Sequence, residues 1–147
     1  MKLLSSLPFL LAIIMFTNVR CKKNDDEKML SKTELLTSGS WKLTAVVSDD
    51  DANGSYETDD FATFSDCYKD NYYTFQSNGV LELNEGPTKC SPADSQTETA
   101  TWQLTQNETY LKINNDERKL EELTISRMKW KESYSGGRSS LVTFTKR

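Results

Sequence analysis

The sequence predicts an all-β fold: an eight-stranded antiparallel up-and-down barrel preceded by a short helix, with a β-sandwich as the competing architecture. Three observations lead there. From Trp41 onward, apolar and polar residues alternate with period two. Short turn signals separate the alternating runs, among them Asn78-Gly79, Asn107-Glu108, Asn114-Asn115-Asp116 and Ser135-Gly136-Gly137. No long crossover interrupts them, so neighbouring strands should pair directly. The 147 residues are about one domain.

The chain begins with an address, not with the fold. Lys2 precedes ten residues, Leu7 to Phe16, that are apolar apart from Pro8. A membrane span needs about 20 such residues, so this run reads as the core of a signal peptide covering residues 1–20. Cys21 follows where a lipoprotein signal peptidase would cut, which makes it the expected lipidation site, although Arg20 stands where a small residue is usual. Cleavage would remove Lys2 and Arg20 and take the formal net charge from -4 to -6. Residues 21–30, opening Cys-Lys-Lys-Asn-Asp-Asp-Glu, are polar enough for a flexible tether. They resemble the Lys-then-acidic tails of Gram-negative lipoproteins displayed on the bacterial outer membrane, the expected location of this chain.

Residues 31–147 are the expected barrel domain. Ser31-Lys-Thr-Glu34 matches a capping box and opens a helix of about two turns through Leu36, stopped by Gly39. Trp41, Leu43, Ala45 and Val47 form one face of the first strand. A second strand near Tyr72–Gln76 turns at Asn78-Gly79 into a third at Val80–Leu83. Thr97–Thr105 presents Glu98, Ala100, Trp102 and Leu104 on one face, with threonines on the other. Strands follow around 110–113, 118–123, 128–134 and 141–146, the break before 128 being weakly marked.

Three cysteines are an odd number. With Cys21 acylated, Cys67 and Cys90 remain as a pair, placed symmetrically about the Asn78-Gly79 turn. Two-residue hairpin pairing would set them opposite one another, though Gly86 and Pro87 interrupt the ladder. In an exported protein a disulfide is the leading reading and two free thiols the other. Closing about 24 residues would contribute roughly 3 kcal/mol. No Cys-x-x-Cys spacing points to redox catalysis.

Seven acidic residues and no Lys or Arg lie between Asp49 and Asp66. The segment matches the calcium-loop pattern at Asp49, Asp51, Asn53 and Gly54, with Ser55 in the next ligand position and Asp60 where a bidentate Glu is usual. Calcium is therefore the candidate cofactor, and a merely solvated acidic loop the alternative. A strand precedes this loop and a short helix around Phe61–Phe64 follows, unlike a helix–loop–helix hand.

Gly39-Ser40-Trp41, after a short helix and at the start of the first strand, resembles the Gly-x-Trp mark of lipocalins. More specifically, Cys67-Tyr-Lys-Asp-Asn-Tyr-Tyr-Thr-Phe75, Ser77-Asn-Gly79, Glu85-Gly-Pro-Thr-Lys-Cys90 and Thr101-Trp-Gln-Leu104 are similar to bacterial lipid-anchored lipocalin-like domain proteins, over roughly residues 32–147. The resemblance implies a barrel closed at one end by Trp41, with a basic residue beyond the last strand stacked on the indole. Lys146 or Arg147 stands there, and Arg147 is the expected closing cation. Members of that family often carry an Asp-rich loop before the first of these cysteines, which supports the calcium expectation.

Composition narrows the function. There is no histidine, which removes imidazole acid–base chemistry and His-ligated metals. An acidic chain with no basic cluster is a poor partner for nucleic acid. No nucleophile with a partnered base can be named, so an enzyme is not expected. The leading expectation is a monomeric, lipid-anchored binding module for a small apolar or amphipathic ligand. Tyr73, Phe75, Trp102, Trp130 and Phe144 would then either line its pocket or form the core. The alternative is a surface interaction module organised by calcium on the acidic loop. An open cavity favours the first and a filled barrel the second.

Overall fold

The computed structural model describes residues 29–147; the signal segment, Cys21 and most of the expected tether lie outside them. Helix α1 (Lys32–Thr37) starts at a reciprocal capping box, the Ser31 side chain accepting from the Glu34 amide and the Glu34 carboxylate accepting from the Ser31 amide.

Strand β1 (Ser40–Asp49) follows, then a two-residue β2 (Thr58–Asp59) and two single-turn helices, α2 (Asp60–Thr63) and α3 (Asp66–Lys69). The remaining strands are β3 (Tyr72–Phe75), β4 (Val80–Asn84), β5 (Thr97–Thr105), β6 (Tyr110–Ile113), β7 (Asp116–Leu123), β8 (Arg127–Ser133) and β9 (Ser139–Lys146). From β3 onward each strand pairs antiparallel with its sequence neighbour. β9 then pairs with β1 from Trp41↔Lys146 to Asp49↔Ser139, which closes the sheet. That closure makes an eight-stranded barrel and excludes the sandwich.

β3 pairs only with the first residues of β1, Ser40 to Lys42. The upper part of that edge is covered instead by β2, at Val47↔Asp59 and Ser48↔Thr58, and by α2. These added pieces appear because β1 is more than twice as long as its partner β3.

One expected register is corrected. The β3–β4 ladder runs from Tyr72↔Asn84 to Phe75↔Leu81, so the hairpin has a three-residue loop, not a two-residue one. The Gln76 and Val80 backbones bond at 2.8 Å, Gly79 N–H donates to Gln76 at 3.0 Å, and Gly79 takes φ 84°. This is a turn followed by a left-handed residue, and glycine serves it as well as it serves a two-residue turn.

The two ends of the barrel differ. At the end where β1 begins, Leu36, Trp41, Phe75, Leu81, Leu111 and Met128 are buried against one another under α1. The other end carries the long 50–71 connection, the 85–96 loop and the turns before β7 and β9. Among the described residues no helix is long and apolar enough to cross a membrane.

Candidate functional site

Strand alternation decides what faces the interior. On β8, Met128, Trp130 and Glu132 stand opposite Phe144, Val142 and Ser140 of β9, all buried except the half-buried Glu132. On β7, Arg118 stands opposite the fully buried Leu111. The inward face thus begins apolar at the plugged end and becomes polar towards the open one.

At that open end lies a cavity of about 350 Å³ walled by Phe64, Tyr73, Trp130, Tyr134 and Phe144, with Asp60 and Glu132 as its only charged lining residues among those described. A neighbouring space of about 260 Å³ shares Tyr73, Trp130 and Glu132 and adds Glu98 and Arg118. The rings brace one another: Tyr73 meets Phe144 edge-on at 5.2 Å, and Trp130 meets Phe144 at 4.4 Å.

Glu132 organises the polar wall. Its Oε1 accepts from Arg118 Nε at 2.8 Å and from Trp130 Nε1 at 3.0 Å, and its Oε2 accepts from the Tyr134 hydroxyl at 3.0 Å. The Arg118 guanidinium also lies 5.7 Å from the Trp130 ring centre. Across the mouth, Ser48 donates to the Asp60 carboxylate, and the Ser48 and Ser140 hydroxyls are 2.6 Å apart. No Lys or Arg among the described residues pairs with Asp60.

These surroundings shift two phenols. Burial raises the Tyr73 pKa, with Arg118 opposing and Glu132 adding to the effect. Burial likewise raises that of Tyr134, countered by its Ser140 hydrogen bond and reinforced by Glu132 and Asp60.

Of the aromatic residues singled out in the sequence, Tyr73, Trp130 and Phe144 line the cavity. Phe75 and Trp102 instead stack edge-to-face at 5.3 Å within the packed core. Arg118 and Glu132 escaped sequence reasoning because charge suggests an outward face. Their signal was present: Glu132 extends the Met128-x-Trp130 alternation by one step.

Cys67 and Cys90 are bridged, with Cα atoms 5.1 Å apart. The bridge joins α3 to the 85–96 loop beside the mouth. Trp41 closes the opposite end, donating from Nε1 to the Leu36 carbonyl at 2.9 Å. The closing cation is Lys146, not Arg147. Lys146 is the register partner of Trp41 and shares its face, placing Nζ 4.1 Å from the ring centre. Arg147, one residue on, lies 4.4 Å from Tyr72. Lys146 Nζ also donates to the Leu35 carbonyl at 2.9 Å and to Ser38 at 2.6 Å, and burial lowers its pKa.

The acidic loop is bonded to itself. Asp49, only 3% exposed, accepts from the amides of Asn53 and Gly54, both at 3.0 Å. Asp51 accepts from the Asn53 amide and side chain, and Asn53 accepts from the Ser55 amide at 2.7 Å. Asp60 is engaged at the barrel mouth by Ser48. Among the described residues Asp49, Asp51 and Asp60 do not converge into a group arranged to hold a metal.

A closed antiparallel barrel, plugged by a helix at one end and hollow at the other, defines a small ligand-binding class of fold. The lipocalin-like domain family model matches residues 37–130, and the chain belongs to that family. A crystal structure of a lipocalin-like protein from Bacteroides uniformis is similar at 18% identity and a TM-score of 0.45, covering 77% of this chain and 99% of that one. No curated protein matches.

Proposed function

We propose that this chain is a non-enzymatic, monomeric envelope lipoprotein, anchored through Cys21, whose barrel takes up a small apolar or amphipathic molecule at its open end. The cavity carries this reading. Its volume of about 350 Å³ lies within the range of small-molecule sites, and aromatic walls surround a few convergent polar groups. The lipocalin-like fold supports the same reading. Calorimetry with amphiphiles of graded chain length tests it. Saturable binding weakened by Val142→Phe, which fills the cavity, is the expected result; binding indifferent to that substitution would overturn it. The anchor is tested by mass spectrometry of the membrane fraction, where an acylated Cys21 should be the first residue and Cys21→Ala should abolish it.

The acidic loop offers the other reading, a calcium-organised contact patch. The Asp49 and Asp51 carboxylates already accept from the loop's own amides, which favours the cavity. Calcium heat lost in an Asp49→Ala, Asp51→Ala double variant would reverse that preference.

A further inference from the structure

We propose that the molecule held at the barrel mouth is an organic cation: an amine or quaternary ammonium carrying a short apolar body. This rests on the reading of the mouth as a ligand site and adds the chemical class. Two features of the lining carry it. The first is charge. Among the described residues, the charged ones lining the cavity beside Trp130 are Asp60 and Glu132, both acidic. Glu132 is matched by Arg118, but among the described residues the Asp60 carboxylate receives only the Ser48 hydroxyl, and no described Lys or Arg belongs to that lining. The adjoining space adds Glu98, which likewise has no Lys or Arg partner among the described residues. An anion entering would meet uncompensated carboxylates, whereas a cation would supply the missing counter-charge.

The second feature is the aromatic wall. Trp130, Tyr73 and Tyr134 line the space that Asp60 borders, and Tyr134 is the most exposed of the three. Ring faces attract ammonium groups, most strongly where water is partly excluded. The wall already shows this preference internally, since the Arg118 guanidinium rests near the Trp130 ring. The apolar body would lie deeper, against Leu43, Val46 and Val142.

Three probes of equal chain length separate the possibilities: octyltrimethylammonium, octanol and octyl sulfate, each titrated calorimetrically into the purified chain. The cation should bind about tenfold tighter than octanol, and the sulfate most weakly. Asp60→Asn should bring the cation down to the octanol level while octanol affinity stays within about twofold, which also shows that the variant remains folded. Octanol or octyl sulfate binding as tightly as the cation would overturn the cation assignment but leave the ligand-site reading standing. Failure of all three to bind would overturn both. The wild-type comparison needs no variant and decides the charge preference by itself.

Discussion

Glu132 shows how one side chain can order a cavity wall. A single carboxylate satisfies a guanidinium, an indole N–H and a phenol, so removing any partner changes the others' environment. The Arg118 and Glu132 side chains are 19% and 28% exposed, between the surface and buried limits for an ion pair. Arg118→Met should therefore cost about 1–2 kcal/mol in urea unfolding. A cycle with Glu132→Gln should show the pair to be coupled; additive single effects would mean that the two charges act independently. The raised Tyr73 pKa predicts a pH effect of definite sign. The unfolded phenol ionises near 10.0, the folded one later. Its contribution is complete below pH 10 and is lost as pH climbs through the raised value, because the unfolded chain then binds fewer protons. Tyr73→Phe should make the alkaline loss of stability shallower across a pH series of denaturation curves while changing little at neutral pH. An unchanged slope would mean that Tyr73 is not a source of the alkaline loss.

At the scale of elements, the plugged end is a six-residue helix packed on β3 and β7 and tied to the last strand through Lys146. So short a helix gains little from its own hydrogen bonds, and its place depends on what grips it. The Ser31–Glu34 box holds its start, while Trp41 Nε1 and Lys146 Nζ donate to carbonyls at its end. A cation there also suits the negative end of the helix. Lys146→Met keeps the apolar stem but loses the carbonyl bond and the ring contact, and should cost about 1–2 kcal/mol. Arg147→Met should cost clearly less, because Arg147 lies over Tyr72 and not over Trp41. Melting of both variants checks the order; equal losses would sink the assignment of Lys146 as the closing cation. The helix and its cap were legible in Ser31-Lys-Thr-Glu34, whose chemistry is local. Which of two adjacent cations meets the tryptophan was not, because that depends on the β1–β9 register, a pairing of residues a hundred positions apart.

For the molecule as a whole, the eight strands were legible from period-two alternation, although bulges interrupt it in β1 and β7, the first turning Val46 to the cavity in place of Ala45 and Val47. The long 50–71 connection was less so: Asp49, Asp51 and Asp60 matched a metal-loop pattern, yet Asp49 and Asp51 cap backbone amides and Asp60 accepts from the Ser48 hydroxyl, uses that the same residues serve equally well. The disulfide was legible from cysteine number alone, while the hairpin register that suggested its geometry was off by one residue. What brings Cys67 to Cys90 is therefore not strand pairing but the segment around α3 packed on the 85–96 loop, through side-chain-to-backbone hydrogen bonds and one close backbone approach. Asp70 Oδ2 accepts from the Thr88 amide at 3.0 Å. In the orientation that satisfies it, the Asn71 amide donates to the Cys67 and Glu85 carbonyls, each at 2.9 Å. Gly86, at φ 68°, comes so close to Asp70 that a Cβ there would stand 2.5 Å from its carbonyl oxygen. The clasp thus has a covalent part and a packed part, and the two are separable. Cys67→Ser with Cys90→Ser should cost about 2–4 kcal/mol through the freed unfolded chain. The melting temperature of this variant should ignore reductant, while that of the parent chain falls. Gly86→Ala should lower the melting temperature further in the cysteine-free background, since it forces the loops apart whether or not the sulfurs are joined. If Gly86→Ala were harmless there, the loop packing would be a consequence of the disulfide and not a second source of stability at the mouth.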